Sequence, residues 1–194
     1  MRILVIGASG TIGKAVADAL ATKHEVVRAS RHGEVRVDIV DPKSIRDMYA
    51  RVGALDAVVS CAGDAVFGPL EKLTDADFTS SLGNKLMGQV NVVRFGVGAV
   101  RDGGSFTLTA GIFAQKPWPG VPALALVNGA LESFARAAAL DLPRGIRINV
   151  VSPPFIKETA EKMGFQAPMT AAENAKWYVG LVEGTESGKI AYPE

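Results

Sequence analysis

A chain of 194 residues is long enough for one good-sized hydrophobic core and too short for two, so a single domain over residues 1–194 is expected. With 48% hydrophobic residues and 21 glycines against 21% charged residues, the composition describes a tightly turned, buried protein and argues against disorder. The 21 basic and 20 acidic residues nearly cancel and form no basic stripe, Cys61 is the single cysteine, and only two histidines exist; nucleic-acid binding, an internal disulfide and a Cys- or His-built metal centre are all disfavoured.

The first apolar run, residues 3–6, reads as a strand and is too short for a signal sequence or a membrane span. With the lone cysteine this places the chain, as an expectation, in the cytoplasm with no membrane partner. Gly7-Ala8-Ser9-Gly10-Thr11-Ile12-Gly13 follows directly and leads into a helix over 11–23. Such a turn sets backbone N–H groups and a helix N-terminus against an anion, with Gly10 permitting close approach and Gly13 letting helix pack on strand. The sequence Gly7-Ala8-Ser9-Gly10-Thr11 has Thr where a nucleophile elbow needs its last Gly, so a hydrolase is set aside.

A second strand spans 25–28. About twenty residues beyond the glycine turn, where NAD-specific sites carry an acid for the ribose 2′-hydroxyl, the chain reads Arg28-Ala29-Ser30-Arg31-His32. A guanidinium suits a 2′-phosphate, so NADP(H) is expected in preference to NAD(H), held by Arg31 with Ser30 beside it. Solvated arginines at a strand end are the other reading of the same residues. Strands at 34–38, 57–60, 106–109, 146–151 and a short edge at 188–192 follow, separated by helices at 42–51, 75–100, 122–141 and 171–182. Most strands are apolar throughout, as strands covered on both faces must be, which predicts a parallel sheet with helices on each side. Asp41 before Pro42 caps one helix, and Thr74 with Asp77 starts the longest. The two longest helices are apolar around more of their circumference than one sheet needs, which predicts a homodimer or homotetramer through them.

At this point the chain resembles the short-chain dehydrogenase/reductase superfamily over nearly its whole length. Cys61-Ala62-Gly63 is similar to that family's Asn-Ala-Gly, Asp38-Ile39 to its adenine-side pair, and the run from Phe134 to Pro153 to its long helix, sixth strand and Ser-Pro-Gly turn. The resemblance implies an α/β, doubly wound, three-layer Rossmann-type fold with a seven-stranded parallel sheet in order 3-2-1-4-5-6-7. It also implies a nicotinamide cofactor held by Gly7, Ser9, Gly10, Thr11, Ile12 and Gly13, by Ser30, Arg31, Asp38 and Ile39, by Cys61, Ala62 and Gly63, and by Thr109, Asn128, Pro153 and Ile156.

The family's catalytic tetrad is Asn, Ser, Tyr and Lys. Aligned on the flanking motifs, Tyr falls at Leu124, Lys at Asn128, Ser at Gly111 and Asn at Lys85. A tyrosine near a lysine gives up a proton as hydride arrives; Leu124 has none to give. Period-two alternation groups Thr107, Thr109 and Gly111 on one side of the fifth strand. A rebuilt site would therefore consist of Thr109 and Lys85 around a small carbonyl or alcohol, with Asn128 on the ribose. Thr109 is equally a β-former at a strand end, and Lys85 lies on one helix face with Ser81 and Gln89 that could be solvated or buried between subunits. Asn128 could be a core amide or a cap. Tyr178 reaches the site only if the last helix folds over it, and Cys61 is expected to be an inert buried thiol. An oxidoreductase with a non-standard site and a cofactor-binding sensor or scaffold without turnover both remain open.

Overall fold

The computed structural model describes residues 1–194. β1 (Arg2–Ile6) lies inside a seven-stranded sheet ordered β3-β2-β1-β4-β5-β6-β7, in which every pairing is parallel. The other strands are β2 (Glu25–Ser30), β3 (Val35–Arg36), β4 (Leu55–Ser60), β5 (Val100–Thr109), β6 (Arg147–Val151) and β7 (Ile190–Ala191). Side chains alternate across β1: Leu4 and Ile6 join a cluster of 22 buried residues, Ile3 and Val5 one of 14 on the opposite face, so both faces are dry. The larger cluster is closed by α2 (Pro42–Val52), α4 (Gly88–Gly96) and α5 (Pro122–Asp141), the smaller by α1 (Thr11–Leu20) and α7 (Ala171–Glu183). The fold is the doubly wound three-layer arrangement expected from the strand pattern.

Gly13 shows why the first turn reads as it does. A Cβ on Gly13 would lie 2.1 Å from the Gly7 carbonyl oxygen, so any larger residue would push α1 off the end of β1. Asp41 caps α2 by accepting from the Lys43 N–H at 2.8 Å, and Thr74 and Asp77 form a reciprocal capping box at the start of α3 (Asp75–Ser81). A second box, Thr170 with Glu173, starts α7.

Three expectations need correction. The helix expected over 75–100 is broken: α3 passes into a wide π-turn, Leu82–Met87, before α4, and the chain leaves the helix at Gly96. β5 then begins at Val100, not Phe106. Within it Gly103 takes φ +73°, and a Cβ on Gly104 would lie 2.6 Å from the Asp56 carbonyl oxygen. The pair thus carries the strand past an irregularity in its register with β4. β3 is only two residues long, and the connection Arg31-His32-Gly33-Glu34 replaces a crossover helix. The segment after β6 also holds a short helix unseen in the sequence, α6 (Lys157–Lys162), tied down where the Lys157 N–H donates to the Met169 carbonyl at 2.7 Å.

α5 is long and apolar enough to cross a membrane by length and composition. Here it serves as a core helix, burying Leu124, Val127, Leu131 and Ala135. Glu132, 2% exposed on the same helix, accepts hydrogen bonds from Ser152 Oγ at 2.7 Å and Tyr192 OH at 2.8 Å. That carboxylate fastens the C-terminal tail to the end of β6.

Candidate active site

Two cavities lie along the carboxyl edge of the sheet and share Cys61, Ala62, Gly63 and Asp64, so they form one trough. The first, about 290 Å³, runs over the glycine turn: Gly7, Ser9 and Gly10 form its floor, with Ser30, Arg31, Asp38 and Ile39 at the far end. The second, about 250 Å³, is walled by Ile12, Pro153 and Ile156 and receives Lys85, Thr109 and Asn128. Of the residues expected at a cofactor, only Thr11 and Gly13 line neither cavity; Thr11 opens α1, and Gly13 works through packing. The sequence reading missed Asn84, whose Oδ1 accepts the Asp64 N–H at 3.2 Å, and the aromatic wall of Phe67, Phe113 and Phe155. The aromatics had a signal in composition but none in spacing.

The floor suits an anion. α1 starts at Gly10 with no side-chain cap and no acid in its first turn, so its N-terminal N–H groups and positive dipole end face the trough uncompensated. Arg28 is taken up by Asp18 at 2.8 Å, which leaves Arg31, exposed on the rim, as the guanidinium at the far end.

The inner end is organised by the wide turn after α3. Gln89, fully buried, grips the last residue of β5 with both ends of its amide: Nε2 donates to the Thr109 carbonyl at 2.8 Å, and Oε1 accepts the Thr109 N–H at 2.9 Å. One turn earlier, Lys85 Nζ donates to the Ala110 carbonyl at 3.0 Å. Gly63, at φ +122°, makes room for this approach, since a Cβ there would meet the Lys85 Cα at 2.9 Å. Ser81, one turn further back, accepts the Val66 N–H at 3.0 Å. The face carrying Ser81, Lys85 and Gln89 is therefore turned inward, Ser81 on the segment after β4 and the other two on the end of β5 and the residue that follows it. Burial pulls the Lys85 ammonium down to about 8, against the Asp64 carboxylate, which favours the charged form.

Thr109 does not offer its proton to the pocket as expected. Its Oγ1 donates to the Ser60 carbonyl at 2.6 Å and lies 2.9 Å from the buried Tyr178 hydroxyl. With Thr109 Oγ1 donating to Ser60, Tyr178 OH donates to Thr109, and the chain of hydroxyls ends at a carbonyl. Period-two alternation points Thr109 toward α7, where Tyr178 does arrive, but behind the cavity wall. The Cys61 thiol beside them is pushed up to about 12 by burial, which keeps it inert as expected.

Asn128 is fully buried, and neither its Nδ2 nor its Oδ1 has a partner in the protein. A Cβ on Gly111 would lie 2.8 Å from that Nδ2, so the amide fills the space a side chain at position 111 would need. A buried amide with both ends open is costly unless a ligand supplies an acceptor and a donor together. Vicinal hydroxyls of a ribose satisfy that demand, and with the bare glycine floor the residues fit a dinucleotide.

A parallel sheet with a trough across its carboxyl edge, a glycine turn at one helix N-terminus and an orphaned amide at the inner end defines a dinucleotide-binding domain of the α/β class. Comparison with known proteins narrows this. A family profile described as enoyl-(acyl carrier protein) reductase matches residues 4–186; the chain belongs to the short-chain dehydrogenase/reductase superfamily. The crystal structure of the protein lin1944 from Listeria innocua is 43% identical, with full coverage of both chains and a TM-score of 0.96. A small-chain dehydrogenase in complex with NADPH superposes with a TM-score of 0.89 at 24% identity, over 99% of this chain and 95% of that one. Hydroxynaphthalene reductase of Aspergillus fumigatus is 32% identical over 114 residues, 58% of this chain, and the match spans 42% of the relative's own length.

Replacing Gln89 by Leu keeps its bulk but strands two buried peptide groups at the end of β5. The variant is expected to lose about 2 kcal/mol or more of stability in urea unfolding, with the mobility focused on Thr109 and Ala110 in amide hydrogen exchange.

Proposed function

We propose that the protein is an oxidoreductase that moves hydride between NADP(H) and a small carbonyl or alcohol through a non-standard site. The observation that carries the reading is Asn128: a fully buried amide, unpartnered at both ends, set in the wall of the inner cavity. The reductase relatives and the NADPH held by a structural neighbour support the same reading. Gly7, Ser9, Gly10 and Ile12, with Thr11 opening α1 and Gly13 seating it, hold the pyrophosphate. Arg31 and Ser30 take the 2′-phosphate, Asp38 and Ile39 flank the adenine, Cys61 to Gly63 line the middle, and Asn128 holds the nicotinamide ribose beside Pro153 and Ile156. When bound, the nicotinamide supplies or accepts the hydride.

The chain contains no tyrosine followed four residues later by lysine, and the position of the family's Tyr-x-x-x-Lys reads Leu124 and Asn128. Lys85 remains as the titratable cation of the inner cavity. Held on the Ala110 carbonyl, it can turn one of its remaining N–H groups toward a carbonyl oxygen, stabilise charge there and release a proton. Thr109 contributes by fixing the wall through Ser60. The second reading, a sensor that binds cofactor without turnover, is favoured by the spent Thr109 proton.

Lys85→Met is expected to lower carbonyl reduction about 100-fold or more while NADPH binding, read by its fluorescence, stays unchanged. In the unaltered protein Lys85 is protonated below its value of about 8, so reduction falls as pH rises through 8 and oxidation of the alcohol rises over the same interval. A flat profile, or consumption no higher than background across a carbonyl panel, selects the sensor. Arg31→Ala is expected to weaken NADPH about tenfold or more and leave NADH untouched, measured by titration of each.

The outer face of α5 carries Leu126 and Leu140 at 49% and 88% exposure, and Met87, at 40%, ends the wide turn just before α4. These support a homo-oligomer formed through α4 and α5. Sedimentation is expected to give a dimer or tetramer, and Leu140→Glu with Leu126→Glu a smaller species; a monomer at the start overturns it.

A further inference from the structure

Five aromatic rings gather at the mouth of the inner cavity. Phe155 is their hub: its ring centroid lies 5.4 Å from that of Trp118, stacked, 5.5 Å from Phe113 and 4.7 Å from Phe165, both edge-on, and 6.3 Å from Phe67. This is not core packing alone, for Phe67 and Trp118 are 48% and 49% exposed. Phe67, Phe113 and Phe155 line the cavity itself together with Leu124 and Met163. Rings left half in water around a cavity are covered when a flat ring enters it.

The polar side of the same cavity restricts the chemistry. Its hydroxyls are those of Thr109, whose proton is held by the Ser60 carbonyl, and of Thr159 on α6. Thr159 is an aliphatic hydroxyl, no stronger an acid than the alcohol whose alkoxide it would have to protonate. Reduction of an ordinary ketone builds up such an alkoxide. Hydride delivered to the oxygen of a carbonyl that is conjugated through a ring with a second carbonyl makes the ring aromatic and builds up a phenolate at the second oxygen instead, whose conjugate acid resembles tyrosine, near 10. That charge a single ammonium can hold.

From the aromatic wall and the missing acidic hydroxyl we infer that the substrate is a quinone, bound flat against Phe155 and Phe113 with one oxygen toward Lys85 Nζ. This inference rests on the oxidoreductase reading above. Reduction of a quinone to its hydroquinone takes up one hydride, carrying both electrons, at the oxygen remote from Lys85, which leaves the oxygen near Lys85 as the phenolate, and one further proton there. The reduced nicotinamide is the hydride source and is left oxidised; the Lys85 ammonium supplies the second proton to the phenolate oxygen and regains one from solvent. The fall of Lys85 to about 8 brings it close enough to the phenolate for the transfer to run either way.

The test uses the whole protein, NADPH, and duroquinone, which has no open ring position for a thiol or amine to attack. Duroquinone alone is expected to quench tryptophan fluorescence saturably, because Trp118 stacks on Phe155. With NADPH it is expected to be consumed about tenfold or more faster, in kcat/KM, than a methylated cyclohexanone of similar size. Phe155→Leu is expected to raise both the quenching constant and KM for duroquinone about tenfold while NADPH affinity stays constant. Phe67→Leu, at an exposed position, should shift the same constants in the same direction and serves if Phe155→Leu does not fold. An aliphatic ketone reduced as well as the quinone, or constants unmoved in either folded variant, overturns the quinone while leaving the oxidoreductase reading standing. Failure to bind NADPH overturns both.

Discussion

Parallel pairing of β1 with β2 on one side and β4 on the other is the constraint from which the functional edge follows. After β3 the chain must return over β2 and β1, through α2, before β4 can start. At their carboxyl ends β1 and β4 then part company. The connection from β1 turns into α1 on one face of the sheet, and that from β4 runs toward α3 and α4 on the other. Nothing can fill the gap between two departing loops, and a trough is left there with backbone amides along its floor. Both cavities meet at Cys61 to Asp64, the first residues after β4, because that is where the divergence begins.

How far the sequence foretells this differs between backbone and side chains. Ile3 to Ile6 followed at once by Gly7, Gly10 and Gly13 announces a strand, turn and helix, because sterics leave few alternatives; the 2.1 Å clash a Cβ would meet at Gly13 is that restriction seen in space. The continuous apolar strands announce a sheet covered on both faces. What could not be read is where a polar side chain spends its hydrogen bonds. Thr109 looks available on a strand diagram, but its hydroxyl is committed to the Ser60 carbonyl, 49 positions earlier in sequence at the end of β4. Gln89 looks like a surface residue and is the amide that closes β5. Such partnerships span tens of residues and leave no local period.

The inner cavity combines two environments that are seldom useful apart. Its apolar walls raise the cost of charge, and its single ammonium supplies charge at one point. Asp64 moderates this by keeping the cation from being lost altogether. Asn128 and Gly111 share one volume between them, so with the Asn128 amide placed as it is a side chain at position 111 would have to displace it.

The wide turn at Leu82–Met87 carries a geometric consequence of its own. In a regular helix, residues four apart advance by about 40° beyond a full turn, so Lys85 and Gln89 would diverge by that angle at the end of β5. An i→i+5 turn is wound more loosely and takes back part of that rotation. It acts as a phase corrector: Gln89 locks to Thr109 while Lys85 keeps its line to Ala110. Loss of one residue from the turn would restore the ordinary winding and force the helix to satisfy one of these anchors at the expense of the other, so the length of this segment is itself part of the chemistry.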